Sequence, residues 1–164
     1  MKKIALLLVT LQLVFISYAS ELAFQISGHT PQDIAQVEEL NESIFGEKNS
    51  FKDYQNSKTG PYQEGENLLL LAKEQQSKVI GFCLFVQKEH NSLYVRWLGI
   101  AQLFQKKGIG RKLLLHLESM FTPSKITLVT TSDVIGFYEK IGFKVKEGED
   151  RELILVDMEK VFSK

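Results

Sequence analysis

Hydrophobic positions along the chain recur with two different periods. Ala23-Phe24-Gln25-Ile26-Ser27 alternates residue by residue and predicts a first strand. Ile34, Val37, Leu40, Ile44 and Phe45 then recur at helical spacing. Thr30 is a fitting N-cap for that helix, Pro31 a fitting first helical residue, and Gly46 a fitting stop. Residues 46–66 are polar, with Gly60-Pro61 and Gly65 as turn signals. They read either as a connection lining a substrate site or simply as a loop. Strands are expected at Asn67–Lys73, Val79–Lys88 and Leu93–Ile100, separated by turns at 75–78 and 90–92. Gly108 to Met120 has helical spacing through Ile109, Leu113, Leu114 and Leu117, and Pro123 ends it. A strand at Ile126–Val129, a short helix at Asp133–Ile141 closed by Gly142, and a hairpin of Phe143–Lys146 with Leu153–Val156 complete the chain. The order predicts an α/β fold: a mixed β-sheet of about six to seven strands, an antiparallel meander plus a β-α-β crossover, flanked by helices.

The first residues stand apart from this pattern. Met1-Lys2-Lys3 precedes an uncharged apolar run from Ile4 to Ile16, and Ser17-Tyr18-Ala19 follows. A basic start, a short apolar stretch and a small-x-small site describe a secretory signal peptide over residues 1–19. The run is shorter than the ~20 residues a membrane span needs, so no span is expected in the mature protein. An uncleaved anchor or a first core strand is the alternative. Cleavage after Ala19 removes Lys2 and Lys3 and leaves 145 residues carrying 18 basic and 20 acidic side chains. The expected destination is outside the cytoplasm, or the cytoplasm if the segment is not a working signal.

Composition narrows the function. The whole chain has 164 residues with 20 basic and 20 acidic side chains, which fits one domain and disfavours a dedicated nucleic-acid binder. The single cysteine, Cys83, sits in an apolar run and reads as a small buried hydrophobe rather than a nucleophile. His29, His90 and His116 are scattered without metal-ligand spacing.

The informative segment is Leu98-Gly99-Ile100-Ala101-Gln102-Leu103-Phe104-Gln105-Lys106-Lys107-Gly108-Ile109-Gly110-Arg111. A strand runs into a loop, and glycines open a helix. Unpaired amides at a helix N-terminus attract anions, and the helix dipole adds to this. Gly108 and Gly110 leave the backbone approachable, and Lys106, Lys107 and Arg111 add positive charge. The pattern reads as a diphosphate cradle, with a glycine-softened turn bearing solvated lysines as the bland alternative. The dinucleotide pattern G-x-G-x-x-G and the Walker pattern are both absent.

Gln105-Lys106-Lys107-Gly108-Ile109-Gly110 resembles the Gln/Arg-x-x-Gly-x-Gly/Ala motif of the GNAT superfamily of acyl-CoA-dependent N-acetyltransferases. Val134-Ile135-Gly136-Phe137-Tyr138-Glu139-Lys140-Ile141-Gly142-Phe143 resembles that family's second motif, in the expected order. The resemblance extends over nearly all of residues 20–164, most specifically 93–143. It implies acetyl transfer from acetyl-CoA, as co-substrate, to the amine of a small-molecule or peptide acceptor. Gln105 to Arg111 would then meet the pyrophosphate through backbone amides. Leu98 and Ile100 would offer backbone groups to the pantetheine arm and the thioester carbonyl. Tyr138 would protonate the departing thiolate; a packing tyrosine is the other reading. Where the family often has Asn, this chain has Thr131, a softer cofactor contact, and Ser132 or Asp133 could cap the helix that follows. No general base is legible, because Leu93–Ile100 carries no carboxylate. A non-catalytic acyl-CoA sensor or interaction module on the same fold is the alternative function. An exported enzyme would also have to reach a compartment that holds acetyl-CoA.

Overall fold

A computed structural model describes residues 22–27, 29–46, 67–74, 77–148 and 154–162. The signal-peptide segment and most of the connection 46–66 lie outside the described residues. Seven strands form one sheet: β1 (Leu22–Gln25), β2 (Asn67–Glu74), β3 (Lys78–Lys88), β4 (Ser92–Ile100), β5 (Lys125–Thr131), β6 (Lys144–Val145) and β7 (Leu155–Val161). Their spatial order is β1-β2-β3-β4-β5-β7-β6, and only β4 and β5 run parallel. The helices are α1 (Pro31–Phe45), α2 (Ile109–Phe121) and α3 (Ile135–Glu139). No helix of the described residues is long and apolar enough to cross a membrane.

The side-chain alternation of the strands sorts the core into two layers. On one face, Cys83, Phe85, Leu93, Val95, Ile126, Leu128, Val156 and Met158 meet Leu113, Leu114 and Leu117 of α2 and Ile135 and Tyr138 of α3. On the other face, Leu69, Leu71, Phe82 and Leu84 meet Val37 of α1, with Trp97 packed at the margin. α1 begins as the sequence predicts, and its N-terminus is closed by a capping box. The Asp33 amide donates to Thr30 Oγ1 at 3.1 Å, and the Thr30 amide donates to Asp33 Oδ2 at 2.9 Å. The β3–β4 turn places His90 and Asn91 both at positive φ, 57° and 53°, which is the twist a tight hairpin requires.

Three elements differ from the sequence expectation. The segment expected as one helix from Asp133 is a 3-10 turn at Ser132–Val134 followed by only five residues of α3. Neither element has a side-chain cap, so Ser132 and Asp133 do not act as expected. The last strand runs on to Val161 and inserts between β5 and β6, with Lys144 opposite Glu159 and Val145 opposite Met158. Alternation in this strand is masked because Lys160 interrupts the inward apolar set after Val156 and Met158. The fold accepts that charge by pairing Lys160 Nζ with Glu118 of α2 at 2.7 Å.

Candidate active site

The site arises where β4 and β5 separate. Their ladder runs only from Ser92 opposite Lys125 to Val95 opposite Leu128. Arg96 then forms a bulge, since Leu84 faces Trp97 while Phe85 faces Val95. A bulge bends its strand and raises its twist. Beyond it β4 stays with β3 as far as Ile100, while β5 follows β7 as far as Thr131. A wedge therefore opens between residues 96–100 and 129–131. The bulge also reverses the alternation, so that Leu98 and Ile100 join the face of Leu93 and Val95.

Backbone direction decides what the wedge offers. The Ala101 amide donates to Ile80 O on β3 at 2.9 Å. Successive residues of a strand point their polar groups to opposite sides, so those of Ile100 and Leu98 face away from β3, into the wedge. The Ile100 carbonyl there accepts from Gln105 Nε2 at 3.1 Å. Gln105 thus ties the loop back to the strand end, a role its place in the motif did not reveal.

The loop leads directly into α2. Gly108 is the N-cap, with φ +77° and open space where a Cβ would stand. Lys106 is also left-handed, at φ +60°. Unlike α1, α2 has no side-chain cap, and the amides of Ile109, Gly110 and Arg111 in its first turn lack intrahelical acceptors. The two helices thus end differently: one N-terminus is closed by its own side chains and the other is left open. Lys106, Lys107 and Arg111 are exposed around the open one. Lys107 Nζ lies 5.1 Å, and Lys78 Nζ 5.7 Å, from the centre of the Phe104 ring. Lys78 was not legible as a neighbour because it comes from β3, far away in sequence. Gly110 has a different role from Gly108. It is buried, and a Cβ there would stand 3.2 Å from Phe137 Cζ and 3.7 Å from Ile100 and Leu98. Its missing side chain lets α2 close on α3 and β4.

Tyr138 is 7% exposed and stacks edge-on with Phe137 and Phe143. Burial, with Cys83 nearby, pushes its phenol above the ordinary range, so it stays protonated through neutral pH. Cys83 is fully buried, and burial pushes its thiol up to about 12, which excludes a thiolate nucleophile near neutrality. Thr131 ends β5 exposed, and its side chain makes no capping bond. The expected site residues gather at one end of the sheet: Leu98, Ile100, the 105–111 turn and Thr131 all border the wedge or its mouth. Tyr138 packs into the core layer on the α2 side.

Comparison with known proteins agrees with this geometry. Residues 65–145 match the family model described as an acetyltransferase (GNAT) domain. The chain is 32% identical over 127 residues to N-alpha-acetyltransferase 50 of Danio rerio, covering 72% of this chain and 73% of that protein. The PaiA N-acetyltransferase of Thermoplasma acidophilum, solved in complex with coenzyme A, superposes with a TM-score of 0.61 at 21% identity, over 85% of this chain and 99% of that one. The ribosomal-protein-S18-alanine N-acetyltransferase of Escherichia coli gives 0.65 at 17% identity, over 87% and 96%. With its mixed seven-strand sheet, parted β4–β5 pair and matching sequence, the chain belongs to the GNAT superfamily of acetyltransferases, whose co-substrate is acetyl-CoA.

Proposed function

We propose that the protein moves the acetyl group of acetyl-CoA onto an amine by direct transfer. One observation carries this reading: the β4–β5 wedge opens beside an α2 N-terminus that no side chain caps. The first-turn amides of Ile109, Gly110 and Arg111 would receive the pyrophosphate, with Lys106, Lys107 and Arg111 supplying charge. Gln105 holds the loop in place. The wedge-facing amides of Leu98 and Ile100 would meet the pantetheine arm and the thioester carbonyl, and Thr131 would border the opposite wall. A donor fixed where negative charge develops stabilises the transition state more than the ground state.

Tyr138 is the acid in this reading. Its raised pKa keeps the proton in place until it is needed, but also makes the phenol a weaker donor. Donation to the thiolate is therefore coupled to recovery of a proton from the acylated nitrogen. For the acceptor, we favour the α-amino group of a polypeptide, which the likeness to an N-alpha-acetyltransferase supports. Calorimetric titration with acetyl-CoA, followed by free-thiol release across a panel of amines and peptides, tests the proposal. Absence of acetyl-CoA binding by the mature protein would refute it. Binding without turnover across the panel would favour the sensor reading.

We also propose that residues 1–19 direct export and are removed. Only Ser20 and Glu21 separate Ala19 from β1, so cleavage there would spare every described element. N-terminal sequencing from native cells should begin at Ser20; a chain beginning at Met1 or Lys2 would refute removal.

A further inference from the structure

The transfer reading leaves the acceptor amine without a binding group or a base. A protonated amine cannot attack a thioester until it gives up a proton. The wedge cuts through the sheet and so has two faces. On one face lie α2, α3 and the cradle. On the other, the apolar layer under α1 draws on β2, β3 and the margin of β4, and no residue of β5 or β7 belongs to it. That second face is where an acceptor can approach without displacing the cofactor arm.

Strand parity identifies its side chains. Ile126, Leu128, Val156 and Met158 point into the α2 side. Val129, Thr131, Leu155 and Asp157 therefore point the other way. They form adjacent cross-strand pairs, Val129 opposite Asp157 and Thr131 opposite Leu155, with Val129 and Thr131 on the β5 wall of the wedge and Asp157 and Leu155 on β7 directly behind it. Leu155 is 59% exposed and its neighbour Ile154 is 82% exposed, while Asp157 is half-buried.

The other carboxylate of β7, and two carboxylates on the helices packed against the sheet, already have cations. Asp33 is paired with Lys73, Glu118 with Lys160, and Glu159 with Lys125 at 4.0 Å. Asp157 forms no ion pair with a described residue. The nearest cation along the ladder is Lys146, whose amide donates to the Asp157 carbonyl at 3.0 Å and whose exposed side chain makes no ion pair with the carboxylate. A half-buried carboxylate that meets no cation among the described residues, flanked by Val129 and exposed Leu155, is complementary to an ammonium group next to an apolar side chain.

We propose that Asp157 receives the acceptor's ammonium group and acts as its base, with Leu155 and Val129 contacting the adjoining apolar side chain. This rests on the transfer reading. The ammonium passes one proton to Asp157, directly or through water. The neutral nitrogen bonds to the thioester carbon as the carbon–sulfur bond breaks. Tyr138 gives its proton to the departing sulfur and regains one from the acylated nitrogen, and Asp157 releases its proton to solvent. The products are the amide, coenzyme A and one proton.

The test uses short peptides with a free α-amine and an apolar first residue. Three quantities are measured on the mature protein and its variants: acetyl-CoA affinity, peptide affinity in the presence of coenzyme A, and kcat/KM for the peptide. Asp157→Asn should leave acetyl-CoA affinity within about threefold. It should weaken peptide binding and lower kcat/KM by about 10²-fold, the usual scale for loss of a general base. Asp157→Glu should restore part of both. Lys146→Ala should behave like the unmodified protein; if it reproduces Asp157→Asn, the carboxylate only serves a surface pair and the proposal falls. The proposal also falls if Asp157→Asn leaves peptide binding and turnover intact, or if acetyl-CoA affinity is lost in parallel. Failure of the unmodified protein to bind acetyl-CoA would instead refute the transfer reading, while peptide affinity would still judge Asp157.

Discussion

A single hydroxyl separates the two readings of Tyr138. The ring is locked between Phe137 and Phe143, and removing only the oxygen preserves that packing. Tyr138→Phe should therefore lower turnover about 10²-fold or more while acetyl-CoA affinity and melting temperature stay nearly constant. Equal losses in all three would mark a structural tyrosine. Cys83 yields a second prediction at this scale. Its folded pKa, about 12, lies above its ordinary value of 9.0. The folded state therefore holds the thiol proton more tightly than the unfolded chain does. That contribution to stability is complete below about pH 9 and is lost as pH rises toward 12. Denaturant titrations across this window should show falling stability that Cys83→Ala, at its own lower baseline, shows less steeply. At pH 8, thiol reagents should label the unfolded chain and spare the folded one.

The helix N-termini are the elements on which stability and function divide. At α1, Lys73 Nζ reaches Asp33 Oδ1 at 2.6 Å, both side chains being under a tenth exposed. Burial alone would raise the Asp33 pKa, but bonds from Lys73 and Thr30 outweigh it and hold the carboxyl below its ordinary 3.8. Its contribution is thus fully present above 3.8 and lost as pH falls through the folded value. Asp33→Asn leaves Lys73 buried without its counter-ion and should cost about 3 kcal/mol, with a shallower acid limb in the unfolding profile. At α2 the same kind of terminus is left uncapped. Gly108 needs its left-handed φ, so Gly108→Val should cost about 1–2 kcal/mol, whereas Gly108→Asn, which tolerates that region, should cost less. Gly110→Val presses on Phe137 instead and should weaken acetyl-CoA binding along with stability. Thermal melts with and without acetyl-CoA separate these outcomes.

For the molecule as a whole, the proposed binding at the wedge would join elements that only the fold brings together: the β4 end, the 105–111 turn and the β5 wall. A ligand at 100 times its Kd adds about 2.7 kcal/mol to stability. Saturating acetyl-CoA should therefore raise Tm by roughly 5–10 °C at this chain length. The rise should shrink with added salt, since Lys106, Lys107 and Arg111 are exposed and their attraction is screened. An unchanged Tm at saturating acetyl-CoA would contradict cofactor binding.

Much of the architecture was written in local pattern. Short apolar runs between turns located β2 to β5, helical spacing located α1 and α2, and Gly108 marked the start of α2, because each signal lies within a few residues of its effect. Even the β4 bulge left a trace, since Leu93 and Val95 change parity to Leu98 and Ile100. The rest depended on distant partners. Lys160 obscured β7 until Glu118 of α2 met it. With the strand expected to end at Val156, Asp157 was not visible beside the wedge. Gly110 looked like an open approach to backbone until Phe137 was found packed against it. By itself, the sequence determined the α/β class, the two family motifs and the candidate residues for binding and protonation, since spacing and side-chain chemistry are local properties. Tertiary structure alone decided which helix N-terminus stays uncapped, where β4 and β5 part, and that Asp157 meets no cation among the described residues, because each of these depends on neighbours that only folding supplies.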